Sequence, residues 1–486
     1  MARRFAGSVK SSYLCGANEE ARDAYPANGK PPSLWPLNIY NVRFYFPTEY
    51  KVLARLGTPI TIGQIGLTMQ NLADNVMVGR HSTEELAAAG FVNNMFIFAL
   101  LLTIGYSTGA VSQIGALYAR RETLRTLDIL KASLVADFMQ GLLVALALCL
   151  LYIGLPYMGQ PDELLPLMRP YLVIQICSLP LMVLTGALKQ FTDSIDDTEV
   201  AMSVMLIGNV WNILFNWILI FGNLGFPEMG LVGAAWATFS SRLVILFLFA
   251  GAMLLRPKYR IYRDLWSRAR IRVGDMLTLN RLGWHIAVQM GMEVASFSMV
   301  AIFLGWIGTT VLAAHQVMLS LTNVIFMFYL GIASAVAIRV SHHNGVGNLR
   351  GVRQAALAGW EMIFCLGIVL STSFFAMRYE IANFFTDNAE VSAIVATLVY
   401  PLVLYQLGDG IQVTFANALR GLGDVKKLMK YSFIAYVVIS LPLSYVLGIL
   451  LDGGALGIWM AFPFGLSTAA VLYLRRFLKV SKIQDR

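Results

Sequence analysis

The sequence predicts an all-α polytopic membrane protein whose twelve transmembrane helices form two six-helix pseudo-symmetric lobes. Composition is the first observation behind this prediction. Of the 486 residues, 57% are hydrophobic and only 13% are charged, whereas a soluble domain is about half apolar and a quarter charged. A membrane-spanning helix needs about 20 apolar residues, so twelve helices use about half of this chain. The composition excludes a soluble enzyme, a disordered chain and an ordinary nucleic-acid-binding domain.

The second observation is a succession of long apolar segments separated by short turns. A polar tail with five prolines, residues 1–50, precedes them. Turn residues such as Gly79, Asn344-Gly345 and Gly453-Gly454 lie between segments, where they favour chain reversal. The predicted spans, in order, are residues 55–79, 87–112, 130–154, 166–189, 200–222, 231–255, 282–305, 311–338, 354–377, 392–417, 429–450 and 455–476.

The third observation is an internal repeat. The segment LGTPI at residue 56 corresponds to LGWHI at 282, and GLVGAAWA at 230 corresponds to GALGIWMA at 454. Six spans are duplicated, and because six is even, both copies cross the membrane in the same direction. We therefore expect lobes related by an axis along the membrane normal, with a cleft between them. The predicted units are an N-terminal lobe (51–255), a basic cytoplasmic connecting loop (256–281), a C-terminal lobe (282–478) and a cytoplasmic end (479–486).

The distribution of basic residues predicts the orientation. Of the 37 Lys and Arg residues, only Arg80, Arg169 and Arg378 fall on the side opposite the tail, and Arg242 lies within a span. The positive-inside rule then places both termini in the cytoplasm, as expected for an inner-membrane protein. Cytoplasmic Lys and Arg also explain the net charge of +9, so we expect the lipid bilayer as a partner and no nucleic acid.

Three carboxylates within the spans are the strongest candidates for function, because an ionisable group in a membrane is costly and usually faces a cavity or a partner. Glu293 and Asp409 each lie about 17 Å above the nearest basic residues of their helices, at 1.5 Å per residue. Their matched depth predicts that they meet inside the second lobe. Asp74 lies nearer the outside, in the first lobe.

Helical spacing adds polar residues to each of these faces. Residues three or four positions apart share a face, which groups Gln70 and Asn71 with Asp74, Gln289 with Glu293, and Tyr405 and Gln406 with Asp409. The fifth span adds Asn212 and Asn216, whose amide oxygens could coordinate sodium or bind a protonated carboxyl. The alternative is that these polar groups hold the helices together.

Other charged and flexible residues within the spans are interpreted as structural residues or as candidates for the substrate cleft. Arg242 needs a carboxylate partner, with Asp74 and Asp137 as candidates, and we interpret it as structural. Asp137 and Glu361 are interpreted as structural or interface residues. The candidate substrate-cleft residues are Met69, Met290 and Phe297, since methionine suits promiscuous packing, although packing within the spans is the alternative.

Long motifs then point to a known family. LADNVMVGR at 72, GNVWNILFNWILIFG at 208, ASAVAIRVSHHNG at 333 and LYQLGDGIQVTFANALRGLGD at 404 resemble the multidrug and toxic compound extrusion (MATE) family, in particular its NorM-like branch. The resemblance covers residues 50–478. It implies a secondary antiporter that exports organic cations in exchange for sodium ions or protons, without a cofactor and as a monomer.

The resemblance also assigns residues. It carries the family's coupling carboxylates onto Asp74, Glu293 and Asp409, with a possible sodium ion at Glu293 and Asp409, and its helix-five polar pair onto Asn212 and Asn216. Some proton-driven relatives have an aspartate in that helix, where this chain has only asparagines. That difference weakens a proton mechanism confined to the first lobe.

Two other functions stay open at this stage. A flippase for lipid-linked oligosaccharides would share the architecture but needs a cationic cleft, whereas the candidate residues here are carboxylates. A membrane-embedded prenyl-type enzyme would need a second acidic cluster beside DSIDD at 193–197, and the sequence has none. We therefore expect a transporter and not an enzyme.

Overall fold

The computed structural model describes residues 46–158, 161, 163–385 and 388–482, and the predicted tail lies almost wholly outside them. All regular structure in these ranges is helical. The helices are α1 (Pro47–His81), α2 (Thr83–Ser107), α3 (Val111–Ala119), α4 (Thr123–Gly154), α5 (Leu165–Ser194), α6 (Thr198–Phe221), α7 (Gly230–Leu255), α8 (Arg260–Leu265), α9 (Val273–Ile307), α10 (Thr309–Gly345), α11 (Leu349–Ala376), α12 (Arg378–Phe385), α13 (Ala389–Leu422), α14 (Val425–Ser432), α15 (Leu441–Tyr445) and α16 (Gly454–Val480).

Eleven helical stretches among the described residues are long and apolar enough to cross a membrane. Helix α1 has 35 residues but is not among them, because its centre is rich in amide, hydroxyl and glycine residues. It is the predicted first span, and with it the twelve spans follow the expected order. A membrane favours an all-helical fold because each helix forms its backbone hydrogen bonds within itself.

The helices extend well beyond the predicted bounds. Helix α2 continues through a short 3₁₀ segment into α3, so that one apolar stretch runs from Thr83 to Ala119. The predicted connecting loop is also more ordered than expected, since it contains α8 and since α9 begins at Val273 rather than 282. Its Tyr259 is buried and donates a 2.6 Å hydrogen bond to Asp197, which ties the connection to the turn before α6.

Each half of the chain has its own apolar core. In the first half α1 packs against α6, α6 against α7, and α4 against α5, while in the second half α10 and α16 both pack against α13. One core also crosses between the halves, because Leu53 and Leu56 of α1 are buried together with Val336 of α10 and Val352 of α11. The first lobe therefore reaches into the second at the start of α1.

Glycines allow the two halves to touch closely. A Cβ added at Gly109 would lie 2.8 Å from the Gly283 nitrogen, one at Gly345 would lie 2.4 Å from the Ala116 carbonyl oxygen, and one at Gly57 would lie 3.3 Å from the Gly331 carbonyl oxygen. At Gly109 and Gly345 a Cβ would force the helices to shift, whereas at Gly57 a small movement of the neighbour would suffice. All of these contacts lie on the side of the helices where α1 begins and α10 ends.

Charged side chains reinforce the same end of the interface. The Arg339 guanidinium of α10 donates two hydrogen bonds to Glu49 of α1, at 2.8 and 3.0 Å, and His343 lies 3.1 Å from the same carboxylate. Arg120 donates to the Gly345 carbonyl, and a His342 ring nitrogen lies 2.8 Å from the Ser194 carbonyl oxygen. The described side-chain contacts between the halves thus concentrate near the termini.

Candidate functional site

A carboxylate and two amides from neighbouring helices meet in the first lobe. Asn216 of α6 is fully buried, and its amide donates to Asp74 of α1 and, at 3.2 Å, to the side-chain oxygen of Asn212. Asn212 donates in turn to the Thr238 hydroxyl of α7 at 3.3 Å. The structure therefore brings together Asp74 of the first predicted span with Asn212 and Asn216 of the fifth.

This cluster retains unused oxygen atoms. Among the described residues, the buried side-chain oxygen of Asn216 has no hydrogen-bond partner, and neither has either polar atom of Asn209, two turns earlier on α6. Gln70 is buried one turn before Asp74, whereas Asn71 is exposed. An unpaired carbonyl oxygen beside a carboxylate is an arrangement that a bound cation would satisfy.

Arg242, for which the sequence offered Asp74 and Asp137 as partners, makes its direct contacts with uncharged groups among the described residues. Its guanidinium donates to the Ser178 hydroxyl of α5 and lies over the Phe96 ring, with 5.6 Å from the guanidinium carbon to the ring centroid. Its charge still acts on Asp74, one of the two candidate partners, while its hydrogen bond goes to the α5 hydroxyl. Asp137 accepts a 3.3 Å hydrogen bond from Ser107.

The second-lobe carboxylates lie on α9 and α13, which both contribute buried amides. Asp409 is 2% exposed, and its charge is close enough to Glu293 for the two carboxylates to repel each other. The Gln289 amide donates to Glu293 at 3.1 Å. Tyr405 and Gln406, one turn before Asp409, are both buried. The polar stripes of the two helices therefore point into the protein rather than towards lipid.

Arg420, the basic residue on the helix of Asp409 from which the depth of that carboxylate was measured, belongs to this cluster. Arg420 of α13 is only 9% exposed and donates a 2.5 Å hydrogen bond to the Gln289 side-chain oxygen. A chain of hydrogen bonds thus runs from Arg420 through Gln289 to Glu293. Its position near the end of an apolar segment indicated the membrane boundary, and no local signal showed that its side chain turns inward.

Tyr436 is a second residue that sequence reasoning missed. Its side chain is buried, and its hydroxyl lies beside the Glu293 carboxylate. It lies in a π-helical segment, Phe433–Ser440, between α14 and α15. The wider turn of such a segment changes which side chains face a neighbour, so ordinary helical spacing could not place this one.

The predicted cleft residues differ in their surroundings. Met69 of α1 is 53% exposed, whereas Met290 packs beside Leu282 and Ile286 and reaches the first lobe near Gly105. Phe297 stacks on Phe462 of α16, with ring centroids 4.9 Å apart. Contact with a substrate stays a prediction for all three residues.

The donor groups suit a monovalent cation or a proton. Among the described residues, no cluster of three His, Cys, Asp or Glu side chains has the arrangement of a metal site. Divalent and transition metals prefer larger sets of charged or nitrogen and sulfur ligands. The sites described here offer one or two carboxylates with neutral amide oxygens, which is a smaller negative charge than a divalent metal site provides.

Comparison with known proteins agrees with this architecture. The MatE family model matches residues 59–218 and again residues 286–446. The multidrug resistance protein NorM of Vibrio cholerae is 29% identical over 449 residues, which cover 90% of this chain and 97% of that protein. The multidrug resistance protein PmpM of Pseudomonas aeruginosa is 30% identical over 446 residues, covering 89% and 92%.

Solved structures share the fold. A multidrug resistance MATE family transporter in an outward-facing conformation superimposes with a TM-score of 0.79 at 21% identity, covering 89% of this chain and 96% of that one. The eukaryotic MATE transporter AtDTX14 gives a TM-score of 0.77 at 18% identity, covering 89% and 99%.

Proposed function

Because the chain belongs to the MatE family of membrane transporters, we propose that it is a multidrug exporter that expels small organic cations in exchange for sodium ions or protons. It is a multi-pass membrane protein and not an enzyme. The names of the V. cholerae and P. aeruginosa relatives, both multidrug resistance proteins, support the substrate class. The coupling ion and the mechanism of exchange rest on the geometry of the two carboxylate clusters.

The pair Glu293 and Asp409 carries the proposal. A buried carboxylate is costly unless a positive charge or a proton accompanies it. Arg420 supplies a single positive charge beside Glu293, with its hydrogen bond directed to Gln289, so two such carboxylates need further compensation. A sodium ion, a proton and an organic cation can each supply that compensation, so they compete for one site. Competition of this kind couples the ion to the substrate.

Asp74 gives the first lobe a similar but separate site. Its amide partner Asn216 has an unpaired oxygen that could bind a sodium ion together with the carboxylate. The charge of Arg242 attracts the same carboxylate from a longer distance. We propose that this site binds a proton, a sodium ion or the cationic substrate, one at a time.

The distribution of contacts supports an outward-facing conformation. The close approaches at Gly109 and Gly345, and the Glu49–Arg339 ion pair, all lie towards the termini. The basic residues on that side favour the cytoplasm for it by the positive-inside rule. The cleft then opens to the outside, where it releases substrate and loads ions. Transport requires these contacts to separate in the alternate state.

The energetics restrict the stoichiometry. Exchange of one monovalent cation for another moves no net charge, so only the ion gradient drives it, at about 1.4 kcal/mol for each tenfold ratio. A second ion in each cycle would add about 2.3 kcal/mol per 100 mV. Separate sites in the two lobes are compatible with the binding of two ions in each transport cycle.

Efflux of a fluorescent organic cation from energised membrane vesicles tests the proposal, with sodium and pH gradients imposed separately. The variants are Glu293→Gln, Asp409→Asn and Asp74→Asn. Glu84→Gln serves as a matched control, because Glu84 is an exposed carboxylate in the first turn of α2. We expect gradient-driven efflux in the wild type and the control.

The variants distinguish the coupling routes. Sodium-driven efflux that is lost in Glu293→Gln and Asp409→Asn would locate the coupling site in the second lobe. Efflux driven only by a pH gradient and lost in Asp74→Asn would locate it in the first lobe. Absence of gradient-dependent efflux of any organic cation in the wild type would refute cation export.

A further inference from the structure

A histidine joins three elements at the end of the first lobe that faces away from the chain termini, its predicted outer end. His81 is the last residue of α1, and one of its ring nitrogens lies 2.8 Å from the Glu85 carboxylate of α2. The other ring nitrogen lies 2.8 Å from the carboxylate of Glu228, in the connection between α6 and α7. The side chains of His81 and Glu85 are 19% and 13% exposed, and that of Glu228 is 67% exposed. The imidazole therefore bridges two carboxylates from different elements.

The two contacts of this bridge require one proton more than a neutral imidazole carries. A neutral ring has one N–H, and an ionised carboxylate can only accept. Hydrogen bonds from both ring nitrogens therefore need the imidazolium, and in the alternative arrangement a carboxyl group carries the same proton. Burial lowers the pKa of His81, but the hydrogen bonds and charges of Glu228 and Glu85 outweigh burial and leave that pKa raised. His81 is partly exposed and lies beyond the predicted first span, residues 55–79, so protons from solution can reach it.

Among the described residues, the two carboxylates are the only charges that act on this histidine. The last residue of α6, Phe221, contributes an uncharged ring, whose centroid lies 6.2 Å from that of the imidazole. Gly230 begins α7 and has no side chain. Arg80 and Glu84, the adjacent charged residues of α1 and α2, are exposed. The protonation of the bridge is therefore governed by its own three groups.

The bridge joins the same helices as the first-lobe carboxylate cluster. Asp74 lies two turns before His81 on α1, and its amide partner Asn216 lies on α6. The connection that follows α6 is fastened to that helix, because the Met229 N–H donates a 3.0 Å hydrogen bond to the Leu219 carbonyl. A bridge from the end of α1 to this connection therefore restrains α1 against α6 close to the contact between the carboxylate and the amide.

We propose that His81, Glu85 and Glu228 form a proton-binding site that fastens the outer end of α1 and thereby supports cation binding at Asp74. The proton comes from the solution on that side. A histidine whose pKa is raised by its partners holds them while it is protonated, so the bridge is complete at low pH and is lost as the pH rises through that pKa. The link to Asp74 rests on the proposed transport function, whereas the proton site does not.

Titration of the histidines by nuclear magnetic resonance tests the proton site. The full-length protein, in lipid nanodiscs, carries isotope-labelled histidine at its five positions, and the signal that disappears in His81→Gln identifies His81. We expect this ring to be doubly protonated with a pKa above the ordinary value of about 6.5, and Glu228→Gln should lower that pKa. Glu84→Gln is the matched control, because Glu84 is exposed and lies next to the bridging carboxylate of α2, and it should leave the pKa unchanged. A neutral His81 at pH 6, or an equal pKa in the wild type and Glu228→Gln, would overturn the proposal.

Efflux of a fluorescent organic cation from preloaded cells tests the link to Asp74. The rate for His81→Gln is divided by the wild-type rate at each external pH, which cancels the effect of pH on the driving force. At pH 5.5 this ratio should be about 0.2 to 0.7, the effect of losing one exposed ion pair. It should approach one at pH 9, where the wild-type bridge is lost as well.

The two experiments fail in different ways. A ratio that does not change with pH would overturn the link to Asp74. Absence of efflux in the wild type would refute the proposed transport function and the link together. The histidine titration needs no transport, so it decides the proton site in either case.

Discussion

Replacing Gly283 with alanine should separate the two lobes at the end where they touch. Gly283 lies on α9, opposite Tyr106 of α2. A Cβ at this position would lie 2.8 Å from both the Tyr106 carbonyl oxygen and its ring. Ordinary contacts of this kind are 3.4 Å or longer. One of the two obstacles is backbone, which cannot rotate away as a side chain can, so the helices themselves must move.

The size of the effect follows from the cost of overpacking. An extra methyl group in a close-packed contact costs about 1–3 kcal/mol. Alanine also favours the helix by about 1 kcal/mol over glycine, but that gain applies equally to both conformations and cancels between them. The net penalty therefore falls on the conformation described here. It should shift the population about 5- to 150-fold towards the conformation with separated helices at this end.

The assay is double electron–electron resonance on protein in nanodiscs, after replacement of the four native cysteines. Spin labels at Phe226 and Trp306, which are exposed and lie at the opposite ends of the lobes, report the distance between the lobes there. We expect a shorter distance in Gly283→Ala. Gly291→Ala on the same helix is the control, because its added methyl meets nothing within 4 Å. Identical distance distributions in the two variants would refute the reasoning.

Three further substitutions test other contacts. Glu49→Gln removes the ion pair with Arg339 and should lower the free energy of unfolding by about 1–3 kcal/mol; an unchanged melting temperature would contradict this. Arg420→Gln removes a buried cation beside the second-lobe carboxylates, so the sodium concentration for half-maximal dye efflux should fall about tenfold; a rise would show that the arginine organises the site instead. Tyr259→Phe removes the hydrogen bond to Asp197 and should cost about 1–2 kcal/mol of stability. Because burial and that hydrogen bond raise the pKa of Tyr259, its hydroxyl stays protonated and this cost should be the same at pH 6 and pH 9, as thermal melts at both values would check.

Sequence reasoning found the helices and the carboxylates of the two clusters, because both leave local signals. An apolar segment of membrane length, or a charged residue within it, is visible without knowledge of its neighbours. Gln289 could be grouped with Glu293 from helical spacing alone, whereas the contact between Asp74 and Asn216 joins two helices and appears only in the structure. The contacts of Arg242 could not be predicted in this way, because Asp74 and Ser178 were both within the reach of its long, flexible side chain.

The sequence by itself determined the class of protein, the order of its spans and their duplication, since the membrane imposes length and hydropathy on each span separately. Only the tertiary structure decided how each helix is rotated about its axis and which distant residues share a contact. That rotation brings Arg420 to Gln289, places Tyr436 beside Glu293, and sets Gly283 against Tyr106. These pairs lie more than 100 residues apart in sequence, and their contacts depend on packing between helices rather than on any local pattern.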